Sequence, residues 1–170
     1  MNLRNTCLFL LLCCMQWLHA ESGYELWLRY KPLGNNELSE SCRQRNRKVL
    51  FPGETGSLAA AKKELRAGLS GLLGIDLAET ETLEDNMLII GTPQSIPLFR
   101  KQAFYSEIEG LSDEGYLIQN SKMEGKMVTV IAARTDIGVL YGVFHYLRLM
   151  QTTQPLEQLA IKENPKLRYR

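Results

Sequence analysis

The sequence predicts an α/β fold of the α+β sandwich kind, a mixed β-sheet with two to three helices packed on it. Three observations predict it. Residues 127–133 form a strand-like apolar run that leads at once into a helix over 135–151. Residues 57–73 repeat apolar side chains at helical spacing. Short apolar runs at 49–51, 87–90 and 115–119, bounded by Gly, Pro and Asn, read as strands between them.

The helix over 135–151 is the main core candidate. Ile137, Val139, Leu140, Tyr141, Val143, Phe144, Tyr146, Leu147, Leu149 and Met150 leave only a thin polar stripe with Asp136, His145, Arg148 and Gln151. A helix apolar on nearly all sides belongs inside a larger body. Burying about eight of these side chains contributes on the order of 12–24 kcal/mol as an upper bound. That coverage exceeds what one sheet can bury, so the surface around 146–150 is expected to face a further domain. The polar stripe makes Gly138 and Gly142 a packing device and excludes a membrane span.

The chain has 170 residues and a formal charge of +1. That suffices for one ordinary domain and a tail. Without a strong basic excess, a general nucleic-acid or membrane-surface role is excluded. Residues 1–20 read as a signal peptide, with Arg4, an apolar run over 8–15, and Leu18-His19-Ala20 as a cleavage site. The protein is expected to be exported, to periplasm or exterior. A lipoprotein site is disfavoured because Leu12 precedes Cys13 and Cys13 precedes Cys14. Cys7, Cys13 and Cys14 leave with the leader, so Cys42 is the one mature cysteine and no intrachain disulfide forms.

Residues 21–30 alternate, with Tyr24, Leu26, Leu28 and Tyr30 on one face and Glu25, Trp27 and Arg29 on the other, as in a strand. Residues 31–48 are polar and turn-rich and read as a loop, carrying an exposed Cys42 and the solvated cations Arg43, Arg45, Arg47 and Lys48. The helix over 57–73 places Leu58, Ala61, Leu65, Leu69, Leu72 and Leu73 inward and Lys62, Lys63, Glu64 and Arg66 outward. Thr55 or Ser57 caps its start and Gly74 its end. Gly68 and Gly71 within it mark close packing on the sheet. Glu79, Glu81, Glu84 and Asp85 read as a flexible acidic loop, not a metal or glycosidase cluster. A shorter helix is expected over 95–105, with Pro97 in its first turn. Residues 115–119 and 127–133 pair as a hairpin through a polar connection over 120–126. Residues 159–161 are a short apolar run, and 164–170 turn into another strand.

No residue of this chain is assigned to catalysis, to a cofactor or to a metal. His145 reads as a hydrogen-bonded structural or interdomain histidine, because a catalytic base needs a partner and a pocket. Asp113 and Glu114 read as turn residues. Trp27 reads as a packing residue more readily than a sugar platform. No phosphate loop, metal-spaced His/Cys set or nucleophile triad occurs.

Four segments, in this order and spacing, carry a resemblance: Gly23-Tyr24-Glu25-Leu26-Trp27-Leu28-Arg29-Tyr30, Gly91-Thr92-Pro93-Gln94-Ser95, Gly115-Tyr116-Leu117-Ile118, and Gly138-Val139-Leu140-Tyr141-Gly142-Val143-Phe144-His145-Tyr146-Leu147-Arg148-Leu149-Met150-Gln151. Together they resemble the N-terminal domain of glycoside hydrolase family 67, the α-glucuronidases of xylan breakdown, over essentially the whole mature chain. The first and last segments are the most specific. The resemblance implies a small α/β domain like that of family 20 glycosidases, followed by a (β/α)8 barrel and a helical region. It implies inverting removal of 4-O-methyl-glucuronic acid from xylo-oligosaccharides by paired carboxylates in the barrel, none of which maps here. Residues 21–155 are then the non-catalytic N-terminal domain and 156–170 a connector into a barrel that this sequence lacks. The implied partners are that barrel, a possible xylo-oligosaccharide contact and a possible second copy in the full-length enzyme, with no cofactor. The basic, strand-like end of the sequence suggests a fragment. The competing expectation is a free-standing secreted carbohydrate-binding or adaptor module.

Overall fold

A computed structural model describes residues 30–165. The leader, the strand expected over 21–29 with Trp27, and residues 166–170 lie outside the described residues. Within them, a mixed six-stranded sheet carries four α-helices. The strands are β1 (Lys48–Leu50), β2 (Ala78–Glu79), β3 (Met87–Gly91), β4 (Tyr116–Met123), β5 (Lys126–Ala133) and β6 (Ala160–Glu163). The helices are α1 (Glu37–Arg45), α2 (Gly56–Leu73), α3 (Tyr105–Glu109) and α4 (Asp136–Gln151).

The sheet order is β2-β1-β3-β5-β4-β6. β1 runs parallel to β2 and β3, and β3 parallel to β5. β4 is antiparallel to both β5 and β6. The alternation of strand side chains builds two cores. Leu88, Ile90, Ile118, Ile131 and Ala133 face α2 and α4. Met87, Ile89, Leu117, Val128 and Val130 face Phe99, Phe104 and Ile108 of the 3-10 turn (Pro97–Lys101) and α3. The strands covered on both faces are therefore the continuous apolar runs.

α2 and α4 form much as the spacing predicts. Thr55 Oγ1 accepts the Leu58 N–H, and Gly74 closes α2 at φ +64. Thr135 caps α4 by accepting the Gly138 N–H. Other expectations are corrected. Residues 37–45 are a helix, not a loop. Asn36 and Ser39 form a reciprocal capping box, with Glu37 and Glu40 in the first turn and Arg43 and Arg45 in the last. Cys42 is buried in that helix, at 1% exposure, and burial pushes its thiol up to about 11. Asn46 at the helix end donates to the Cys42 carbonyl at 2.7 Å and accepts from the Tyr146 hydroxyl at 3.0 Å. That buried chain ties α1 to α4.

The expected helix over 95–105 is the 3-10 turn, with α3 after it. Gly68 does not approach the sheet. A Cβ there would lie 2.5 Å from Leu147 Cδ2 of α4, and one at Gly71 would lie 2.7 Å from Tyr30 Cβ. Glu64, expected outward, is buried and accepts from the Tyr30 hydroxyl. The hairpin ladder runs on through Asn120, Ser121 and Lys122 to a two-residue turn, Glu124 and Gly125, both at positive φ. The acidic run is pinned piecewise. Glu79 pairs with Arg66 at 2.7 Å and Glu84 with Lys48 at 2.5 Å, and Asp85 accepts the Met127 N–H at 2.7 Å. Tyr146, Leu147 and Met150 are fully buried, so of the surface expected to be left open around 146–150 only Arg148 is exposed and Leu149 half-buried. β6 pairs with β4 from Tyr116↔Glu163 to Gln119↔Ala160, which carries the sheet past residue 155.

α4 lies so close to its neighbours that side chains have no room at its glycines. A Cβ on Gly138 would strike the Gly115 carbonyl oxygen and sit 2.8 Å from Ala133 Cβ. Backbone cannot swing aside as a flexible side chain can, so Gly138→Ala is expected to cost about 1–3 kcal/mol in urea unfolding. Gly34→Ala, with nothing within 4 Å, should leave the midpoint nearly unchanged.

Candidate functional site

α4 rests on β5 and β4, with Gly142 against Ile131 and Tyr116. β6 lies one strand further out. The space between the helix and this edge strand is an open cleft of about 470 Å³. Its helical wall is Tyr141, Phe144, His145 and Arg148, spaced i, i+3, i+4 and i+7, which places them on one flank. Its other wall is Glu114, Tyr116, Glu163 and Pro165. The pairing Tyr116↔Glu163 sets those two side by side at the end of the sheet.

The centre of the cleft is a single polar contact. Tyr116 Oη lies 2.9 Å from His145 Nδ1, and the two rings meet edge to face with centroids 5.7 Å apart. Burial lowers the His145 pKa from its ordinary 6.5, opposed by Glu163 and assisted by Arg148. Burial, helped by Glu163, pushes the Tyr116 phenol up to about 12. Near neutral pH the imidazole is uncharged and the phenol keeps its proton. Such a pair bolts a helix to a strand.

The turn before β4 fixes the same end of the molecule. The Asp113 carboxylate pairs with Arg134, and its carbonyl accepts the Thr135 hydroxyl. Asn164 Oδ1 accepts the Ser112 N–H at 2.7 Å. Asp113 and Glu114 are thus turn residues as expected, and Glu114 also stands in the cleft wall. His145 has the hydrogen-bond partner expected of a structural histidine. Tyr116, Tyr141, Phe144 and Glu163 were not singled out from the sequence. The spacing of Tyr141, Phe144, His145 and Arg148 could have marked the flank, but Glu163 joins it only through strand pairing.

A second groove, about 760 Å³, lies beyond the end of β1, around Phe51, Pro52, Glu79 and Pro97. Lys62 stands over the Phe51 ring, 5.6 Å from its centroid, between Glu54 and Glu79 at 3.7 and 3.8 Å. Lys62, Glu54 and Glu79 there are already paired. Among the described residues no group of three His, Cys, Asp or Glu could hold a metal ion, and no helix is long and apolar enough to cross a membrane.

Residues 26–146 match the family described as the glycosyl hydrolase family 67 N-terminus. The chain belongs to family 67. It is 30% identical over 154 residues to the alpha-glucuronidase of Hypocrea jecorina, covering 82% of this chain and 17% of that protein. It is 28% identical over 149 residues to alpha-glucuronidase A of Aspergillus tubingensis, covering 86% and 17%. This family 67 chain therefore spans about a sixth of the length of these relatives. Its fold is similar to part of a solved family GH115 4-O-methyl-alpha-glucuronidase with specificity for decorated arabinogalactans. The TM-score is 0.56 at 17% identity, over 73% of this chain and 18% of that one. The family match contains Tyr116, Tyr141 and His145 and stops short of Arg148 and Glu163.

The His145 contact has a pH signature. The folded state binds its proton less readily than the unfolded state, so stability is full above the unfolded value near 6.5 and is lost as pH falls from there toward the folded value. NMR titration should place the imidazole below 6.5. His145→Asn should flatten this part of the stability profile, and an imidazole titrating above 6.5 would contradict the assignment.

Proposed function

We propose that this family 67 chain is the non-catalytic N-terminal domain of an exported α-glucuronidase that removes (4-O-methyl)glucuronic acid from xylo-oligosaccharides during xylan breakdown. The observation that carries this reading is the 30% identity to the Hypocrea jecorina alpha-glucuronidase, reaching across 82% of this chain but only 17% of that protein. Glycoside hydrolysis needs two carboxylates flanking the scissile bond, one of them held protonated by a dry environment. The cleft has two carboxylates, but Glu163 stands exposed on an edge strand and the central pair is a phenol and a neutral imidazole. The role that suits this architecture is support of a catalytic (β/α)8 barrel supplied by the remainder of the enzyme.

Incubating the purified 170-residue chain with aldouronic acids should release no glucuronic acid above the buffer control. Measurable release would overturn the non-catalytic role. Export rests on the leader-like residues 1–20. N-terminal sequencing of secreted material should begin at Glu21, and a protein retained inside with Met1 intact would refute export.

A further inference from the structure

We infer that the cleft between α4 and β6 is the seat on which the remainder of a family 67 enzyme docks; the inference rests on the domain reading just proposed and adds the surface and its key residues. Three observations carry it. First, the family match is to an N-terminus, and the alignments with the two relatives cover 17% of each of them, so in those proteins most of the polypeptide lies beyond this domain. Pro165, the last described residue, is itself part of the cleft wall. Second, the residues next to Pro165 are anchored to the start of β4. Asn164 is held to the Ser112 N–H at 2.7 Å and packs over Gly115, where an added Cβ would lie 2.8 Å from Asn164 Oδ1. The same turn is tied to the start of α4 through Asp113 and Thr135. Third, the cleft has the composition of a protein interface. Tyr141, at 36% exposure, and Met127 are the two exposed large hydrophobics among the described residues, and Tyr141 stands beside Phe144 on the cleft flank. Arg148, Glu114 and Glu163 make no ion pair among the described residues, which leaves charges of both signs for a complementary surface. Aromatic residues and arginine dominate the energetic centres of protein interfaces.

The test uses this chain alone and fused, in place of the matching N-terminal portion, to the rest of the Hypocrea jecorina alpha-glucuronidase. Tyr141→Cys and, as a second probe on the same flank, Arg148→Cys are labelled with a maleimide and followed by peptide mass spectrometry. Met127→Cys, at the far end of the β4–β5 hairpin and 47% exposed, is the control. Both cleft probes should react in the isolated chain and slow by roughly tenfold or more in the active fusion, because a docked interface excludes solvent. The control should react alike in both. Cleft probes that react equally fast in an active fusion overturn the docking assignment and leave the domain reading intact. A fusion without α-glucuronidase activity overturns the domain reading and the inference with it. Protection of the isolated chain by xylobiose alone would reassign the cleft to sugar.

Discussion

Everything on the larger core depends on how closely α4 approaches its surroundings. Gly138 lies against the Gly115 carbonyl, Gly142 against Ile131, and Leu147 fills the notch at Gly68 of α2. Three missing side chains thus set the height of the helix above the sheet and its distance from its neighbour. At that height Val139, Val143, Tyr146 and Met150 reach the apolar side chains below and are fully buried. Interiors packed this densely do not absorb an added methyl group by small shifts. The position of α4 is therefore a discrete consequence of where glycine occurs.

The same placement creates the cleft. α4 sits over the central strands, so its outer flank cannot also cover the edge strand β6. The residues on that flank, Tyr141, Phe144, His145 and Arg148, are larger and more polar than the buried set. The Tyr116–His145 contact then holds the open side of the helix to the sheet. The helix that makes the core is also the helix that presents the free surface, on opposite flanks.

Sequence periodicity made the two long helices, the strand before α4 and the continuous apolar strand β3 legible. Those elements depend on burial, and burial leaves a period. α1 escaped because only Ser39 and Cys42 of its nine residues are buried. Its signal lay in the Asn36–Ser39 cap and in acidic-to-basic order along the helix, which complements the backbone dipole. The polar half of the β4–β5 hairpin escaped for the reverse reason. Asn120 accepts the Leu159 N–H and donates to Thr129, so the polar residue joins β6 to the sheet. Of the cleft, His145 was legible as a bonded histidine, because a lone polar residue in an apolar helix needs a partner. Its partner Tyr116 reaches it by a helix-to-strand contact across 29 residues of chain, and its neighbour Glu163 by the strand pairing Tyr116↔Glu163, neither of which a local pattern encodes.

The order of elements also has a kinetic side. β4, β5 and α4 are consecutive, and β4 and β5 meet through a two-residue turn. Closing that hairpin fixes little chain, and such hairpins form in about 1–10 μs. The parallel pairing Val49↔Leu88 must enclose all of α2 and β2 before it returns any contact. Loop-closure entropy therefore orders assembly, with residues 116–151 as the early nucleus and β1 docking late. Contacts within the hairpin then govern how fast the domain forms, whereas those around Val49 chiefly govern how slowly it comes apart.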